Sequence, residues 1–225
     1  MKIKFLMGLI VLMTSIGILQ FAPEANAMET IELPVPRKDA GVSIEQAILK
    51  RRSTRAFRPG ALTLPEVSQL LWAAQGITSL EGFRTAPSAG ALYPLELFLV
   101  VGVVESLSAG VYRYVPRDHR LEVVAKGDLR APLASAALGQ ECVKEGAAVL
   151  VFAAVYERTK VKYGERGIRY VHMEVGHAAQ NVALQAAAMD LGAVTVGAFD
   201  DAAVGKLLSM EKSEHPLYLL PLGRL

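Results

Sequence analysis

This sequence of 225 residues predicts an α+β fold built on a largely antiparallel sheet. Three observations carry that expectation. Val111-Tyr112-Arg113-Tyr114-Val115 and Leu121-Glu122-Val123-Val124 alternate around Pro116-Arg117-Asp118-His119, which is the pattern of a β-hairpin. The apolar runs 95–104 and 147–155 are short and bounded by turn residues, as buried strands are. Strands and helices do not alternate regularly along the chain, which argues against a doubly wound parallel sheet. With 52% hydrophobic residues and a formal charge of +2, the composition suits one domain with a sizeable core and excludes disorder or a general nucleic-acid surface. A small-molecule protein is the expectation.

The chain begins with the pattern of an export leader over residues 1–27. Lys2 and Lys4 precede an apolar run from Phe5 to Phe21, and Ala25-Asn26-Ala27 offers a small-residue cleavage site. After cleavage no stable membrane insertion is expected, and the protein would be periplasmic or secreted. Residues 28–42 read as an extended, proline-containing arm, and 43–225 as the folded domain. Ser43-Ile44-Glu45-Gln46 is a capping box that starts a helix with Ile44, Ala47 and Ile48 on one face. A second box, Thr63-Leu64-Pro65-Glu66, opens a helix with the stripe Val67, Leu70, Leu71 and Ala74, closed by Gly76. Asp128 is the expected cap of a helix reaching Leu138. Residues 166–191 form about seven helical turns ended by Gly192, with apolar or small residues on nearly every face, so this helix is central or lies in an oligomer interface. Residues 193–197 form a short strand, Asp200 or Asp201 caps a last helix, and 217–222 form the final strand.

The densest chemistry lies between the first two helices. Arg51, Arg52 and Arg55 offer planar guanidinium forks and Ser53 a hydroxyl, a donor set matched to phosphate oxygens. The loop Arg84-Thr85-Ala86-Pro87-Ser88-Ala89-Gly90-Ala91-Leu92-Tyr93-Pro94 lacks bulk, so a flat ligand could lie against its backbone. On the long helix, Glu174 and His177 form a single Glu-x-x-His step, too little for a di-metal site, and no metal is expected. Dinucleotide, Walker, zinc-protease and serine-hydrolase motifs are absent. The single cysteine, Cys142, stands at no recognisable spacing from a base.

Five segments in this order resemble one family: Lys50-Arg51-Arg52-Ser53-Thr54-Arg55-Ala56-Phe57, Ala86-Pro87-Ser88-Ala89-Gly90-Ala91-Leu92-Tyr93-Pro94, Lys162-Tyr163-Gly164-Glu165-Arg166, Glu174-Val175-Gly176-His177-Ala178-Ala179-Gln180-Asn181 and Val196-Gly197-Ala198-Phe199-Asp200. The chain is similar here to the FMN-dependent nitroreductase superfamily, and within it to the SagB-type dehydrogenases, whose relatives oxidise azolines to azoles in peptide natural products. The resemblance implies a nitroreductase-like fold, its antiparallel sheet flanked by helices, in an intertwined homodimer. It implies that Arg51, Ser53 and Arg55 hold the FMN phosphate, with Arg52 adjacent and Arg224 as a C-terminal donor. Pro87, Ser88 and Ala89 would pack on the flavin ring from the partner subunit, and Gly197 and Ala198 would turn a backbone N–H toward flavin N5. Lys162 and Tyr163 match a pair implicated in proton removal. The expected function is passage of hydride from a small heterocyclic or peptide-derived substrate to flavin. NAD(P)H-dependent reduction of nitro or quinone compounds is the alternative enzyme, and a non-catalytic flavin-binding protein the alternative of another class.

Overall fold

A computed structural model describes residues 29–39 and 41–225; the expected leader, residues 1–27, lies outside the described residues. Seven strands form the sheet: β1 (Thr30–Glu32), β2 (Leu95–Val101), β3 (Gly110–Val115), β4 (Arg120–Lys126), β5 (Ala148–Ala154), β6 (Leu191–Ala193) and β7 (His215–Arg224). Their order is β1-β4-β3-β2-β5-β7-β6, and every neighbouring pair is antiparallel. The expected hairpin is β3 and β4, joined by residues 116–119.

Both faces of the sheet are covered, which explains the unbroken apolar runs of β2 and β5. Leu97, Leu99, Leu150 and Phe152 point into a core shared with α2 (Leu64–Gln75) and α6 (Arg166–Ala188). Phe98, Val100, Val149 and Val151 point the other way, against α3 (Arg130–Ala136), α4 (Glu141–Glu145) and α7 (Asp201–Leu207). The caps are local and form as expected. Thr63 and Glu66 close a reciprocal capping box on α2, Asp200 accepts from Ala203 N–H at 2.9 Å, and Ser43 caps α1 (Ile44–Lys50).

Several expectations are corrected. Ile44 and Ile48 do not bury the face of α1; they are 57% and 58% exposed and only Ala47 is buried. Gly76 does end α2, but with φ −63° rather than a left-handed turn; it is required because a Cβ there would collide with the Trp72 ring. Asp128 does not cap α3; its carboxylate accepts from the backbone and guanidinium of Arg130. The long helix stops at Ala188, because Leu191, Gly192 and Ala193 pair with β7 instead. The arm is tied into its own chain: β1 is an edge strand on β4, Leu33 is buried, and the Gln69 side chain bonds both N–H and C=O of Arg37.

Candidate active site

The small-residue loop that precedes β2 is anchored at both ends. Thr85 donates from its hydroxyl to Trp72 O at 3.0 Å, and its own carbonyl accepts from Asn181 at 3.2 Å. Tyr93 N–H donates to Ser88 Oγ at 2.8 Å, and the Arg84 guanidinium stacks over the Tyr93 ring at 4.5 Å while donating to Gln75. Between these anchors Gly90 takes φ +67°, which favours glycine on conformational grounds. Space imposes the same choice, since a Cβ on Gly90 would lie 3.0 Å from Tyr163 Oη and 3.2 Å from Lys162 Nζ.

Lys162 and Tyr163 are thus brought to the Pro87-Ser88-Ala89 loop from the end of α5 (Tyr156–Tyr163). Tyr163 stands edge-on to Tyr170 of α6 with centroids 5.1 Å apart, and Lys162 Nζ lies 5.5 Å from the Tyr163 centroid. Behind the loop is a pocket of about 280 Å³, lined by Pro87, Ser88 and Ala89 and by Tyr170, Met173, Glu174 and His177 of α6. Glu174 is 2% exposed, and neither carboxylate oxygen has a hydrogen-bond partner. Burial pushes its carboxyl up to about 7, against the neighbouring Ser88 hydroxyl, Ala89 N–H and Arg84 charge, which favour ionisation. In the sequence Glu174 stands out as half of a single Glu-x-x-His step and as the start of a family-like segment, and neither marks it as a buried carboxyl beside the loop. Its isolation among small residues was the available signal.

The arginine cluster is built differently. After α1 the chain is extended: Ser53 bridges Ala193, and Thr54 N–H donates to Ala193 O at 3.0 Å. Alternate residues therefore point to opposite sides. Arg52 and Thr54 turn toward a pocket shared with Asp190 and Leu225, where Arg52 also donates to Leu49 O and Arg51 O. Arg51, Ser53 and Arg55 do not line that pocket, and among the described residues their side chains make no ion pair or hydrogen bond. Three donors without partners in one short segment fit the phosphate of a mononucleotide. Arg224 is not with them; its fork is engaged by both oxygens of Glu66 at 2.6 and 2.8 Å and by Ala61 O. Gly197 and Ala198 are exposed, following Val196, which bridges Leu219 of β7. Ala198 O accepts from the Gln140 amide at 3.0 Å, and a Cβ on Gly197 would touch the Tyr218 ring at 3.3 Å.

The two halves of this chemistry are separated along α6. The loop packs against Glu174, whereas the cluster lies near Asp190 and Ala193 beyond the far end of α6, and Glu174 to Ala188 alone spans about 21 Å of axis at 1.5 Å per residue. Cys142 is on the buried face of α4, and burial raises its thiol pKa.

Comparison with known proteins gives the following. The profile of the Nitroreductase family matches residues 48–224. The chain is 45% identical over 196 residues to a protein of Methanocaldococcus jannaschii provisionally named a nitroreductase, covering 87% of this chain and 98% of that one. A solved structure from Anabaena variabilis with the same provisional name superposes with a TM-score of 0.78 at 31% identity, over 88% of this chain and 42% of that one. A chain of the Escherichia coli microcin synthetase McbBCD complex, solved with truncated pro-MccB17 bound, superposes with a TM-score of 0.70 at 29% identity, over 78% of this chain and 69% of that one. This chain therefore spans nearly the whole archaeal relative and less than half of the Anabaena protein.

Proposed function

The chain belongs to the nitroreductase family and is an oxidoreductase, and from that premise we propose an FMN-dependent dehydrogenase of the SagB type, acting on a small heterocyclic or peptide-derived substrate. The observation that carries this reading is the convergence of Lys162 Nζ and Tyr163 Oη on Gly90 of the small-residue loop. Arg51, Ser53 and Arg55 would hold the phosphate end of FMN, the three donors left without partners in the chain. Within the chain Arg52 donates to Leu49 O, and Arg224 to Glu66 and Ala61 O. Bound FMN supplies a hydride acceptor at N5. When a saturated ring bond becomes a double bond, the substrate gives up a hydride and a proton, and the chain must supply the base. Lys162 or Tyr163 takes that proton at Nζ or Oη, within reach of a substrate lying on the loop. The loop's small side chains leave room for a flat ring, and Gly197 and Ala198 expose backbone without bulk on the other side.

A homodimer is the assembly this reading implies, with FMN held at the cluster of one chain and the loop supplied by the other, and the separation along α6 supports it. The exposed Ile44, Ile48 and Leu49 of α1 and Met173 of α6 give such a dimer apolar surface to bury. The solved microcin synthetase relative was captured with a peptide precursor, which supports a peptide-derived substrate and further protein partners here. If residues 1–27 export the chain, cytosolic NAD(P)H is out of reach and electrons leave to oxygen or a quinone.

The identity to an archaeal protein carrying a nitroreductase name favours a second reading, NAD(P)H-dependent reduction of nitro or quinone compounds. One experiment separates them. The purified protein is expected to release FMN, and the bound flavin is expected to bleach under anaerobic conditions with azoline-containing peptides and not with NADPH. Rapid bleaching by NADPH overturns the dehydrogenase reading, and a protein that stays colourless with added FMN overturns both.

A further inference from the structure

Glu174 has no part in the proposed chemistry, yet among the described residues it is the buried carboxylate with both oxygens unpartnered. Such a group destabilises a fold unless something else requires it. The carboxyl faces two donors of the small-residue loop, the Ser88 hydroxyl and the Ala89 N–H, without closing a hydrogen bond to either. Both donors are available. Ser88 Oγ accepts from Tyr93 N–H and leaves its own proton uncommitted, and Ala89 N–H has no acceptor among the described residues. The loop is thus fastened at Thr85 and Tyr93 and unfastened in its middle, opposite Glu174. Its middle also carries Gly90, the residue against which Tyr163 Oη and Lys162 Nζ rest.

We propose that Glu174 is a positioning residue for this loop: its carboxylate closes onto the Ser88 hydroxyl and the Ala89 N–H, and so sets where Gly90 holds Lys162 and Tyr163. Only the catalytic importance of that placement rests on the function proposed above; the latch itself does not. Ionised, Glu174 needs the two loop donors; protonated, it tolerates its dry surroundings and releases them. Burial keeps the proton on up to about pH 7, so the latch changes state near neutrality. The other titratable or charged groups around it are Arg84 ahead of the loop, His177 and Tyr170 on α6, and Lys162 and Tyr163 on α5 beyond Gly90. Arg84 in turn faces Glu96 and Arg158. Of these, His177 shares the pocket and one face of α6 with Glu174, so its replacement is the control.

Amide hydrogen exchange over residues 86–93 of the flavin-loaded protein, corrected for intrinsic pH dependence, tests the latch. Protection at Ala89 is expected to rise about tenfold between roughly pH 6 and pH 8, as one charge-assisted hydrogen bond would give. Glu174→Gln is expected to flatten that profile, and His177→Gln to leave it in place. Glu174→Asp retains a carboxylate one methylene shorter, and is expected to keep a pH step with weaker protection. A flat wild-type profile, or a step that survives in Glu174→Gln, overturns the proposal. Exchange requires no substrate, so failure to oxidise any azoline leaves the latch standing, and a flat profile leaves the flavin reading standing.

Discussion

Replacing Glu174 by glutamine is expected to stabilise the protein, and to do so only above acidic pH. The native carboxyl keeps its proton up to about 7, whereas the unfolded chain loses it near the ordinary value of 4.5. Between those values the native state binds more protons than the unfolded state, so this group makes stability fall as pH rises through the window, and the loss is complete above about 7. The displacement corresponds to about 3 kcal/mol, at 1.36 kcal/mol per unit. That is an upper bound, because local relaxation and water entry around the ionised carboxylate reduce it. Glutamine fills the same space, carries no charge and does not titrate. The variant should therefore match the parent near pH 4.5 and exceed it at pH 8 by up to about 3 kcal/mol, or about 6–12 °C in Tm for a domain of this size. Denaturant titrations at several pH values, followed by the fluorescence of the single tryptophan Trp72, measure the difference. Equal stabilisation at pH 4.5 and pH 8, or a gain that grows as pH falls, would refute the reasoning.

Other perturbations discriminate the remaining roles. Arg51→Ala or Arg55→Ala should give a folded protein depleted of yellow cofactor by absorbance, while Arg52→Ala, which removes donors already committed to Leu49 O and Arg51 O, should keep it. Tyr163→Phe should retain flavin and lose turnover by about 10²-fold or more, the usual scale of general acid–base help. Gly90→Ala combines a left-handed backbone with contacts of 3.0 and 3.2 Å to Tyr163 and Lys162; it should lower stability by about 1–2 kcal/mol and turnover far more, read by melting and by flavin bleaching. Arg224→Ala leaves the half-buried Glu66 without its fork and should lower the denaturant midpoint by the equivalent of about 1–3 kcal/mol.

What the sequence disclosed was whatever a short segment determines by itself. Thr63 with Glu66, and Asp200 ahead of Ala203, are caps fixed within one turn, and the β3–β4 hairpin is fixed by its own alternation. Helix α5 escaped notice because Glu157, Arg158, Lys160 and Lys162 leave it no apolar stripe; only Thr159 is buried, and it is held by packing on α6. Leu191 and Gly192 read as the last residue and the stop of a helix, because their strand partners, Arg224 and Gly223, are remote in sequence. The candidate site divides in the same way. The composition of the arginine cluster and the loop was visible, but which arginines are left without partners in the chain depends on the fold around them. That Arg224 belongs to Glu66, and that Glu174 is sealed behind Ser88, are consequences of long-range packing.

The exposed face of α1 and the division of the site along α6 have one explanation if two chains share each flavin. Ile44, Ile48 and Leu49 are 57%, 58% and 72% exposed on the helix that delivers Arg51, so apolar surface lies next to the phosphate donors. Burying that face against a second copy would place another chain beside the phosphate donors, where its loop is the candidate to complete the flavin site. Flavin retention and dimerisation then become linked equilibria: cofactor binds the dimer and stabilises it in proportion to its concentration over Kd. A charge placed on that face, as in Ile48→Glu, should therefore lower flavin content at micromolar protein without touching any phosphate donor, and high protein concentration should restore it. Sedimentation with absorbance detection at the flavin band reads both quantities at once. Full flavin content in a monomeric Ile48→Glu variant would break the linkage and return the whole site to one chain.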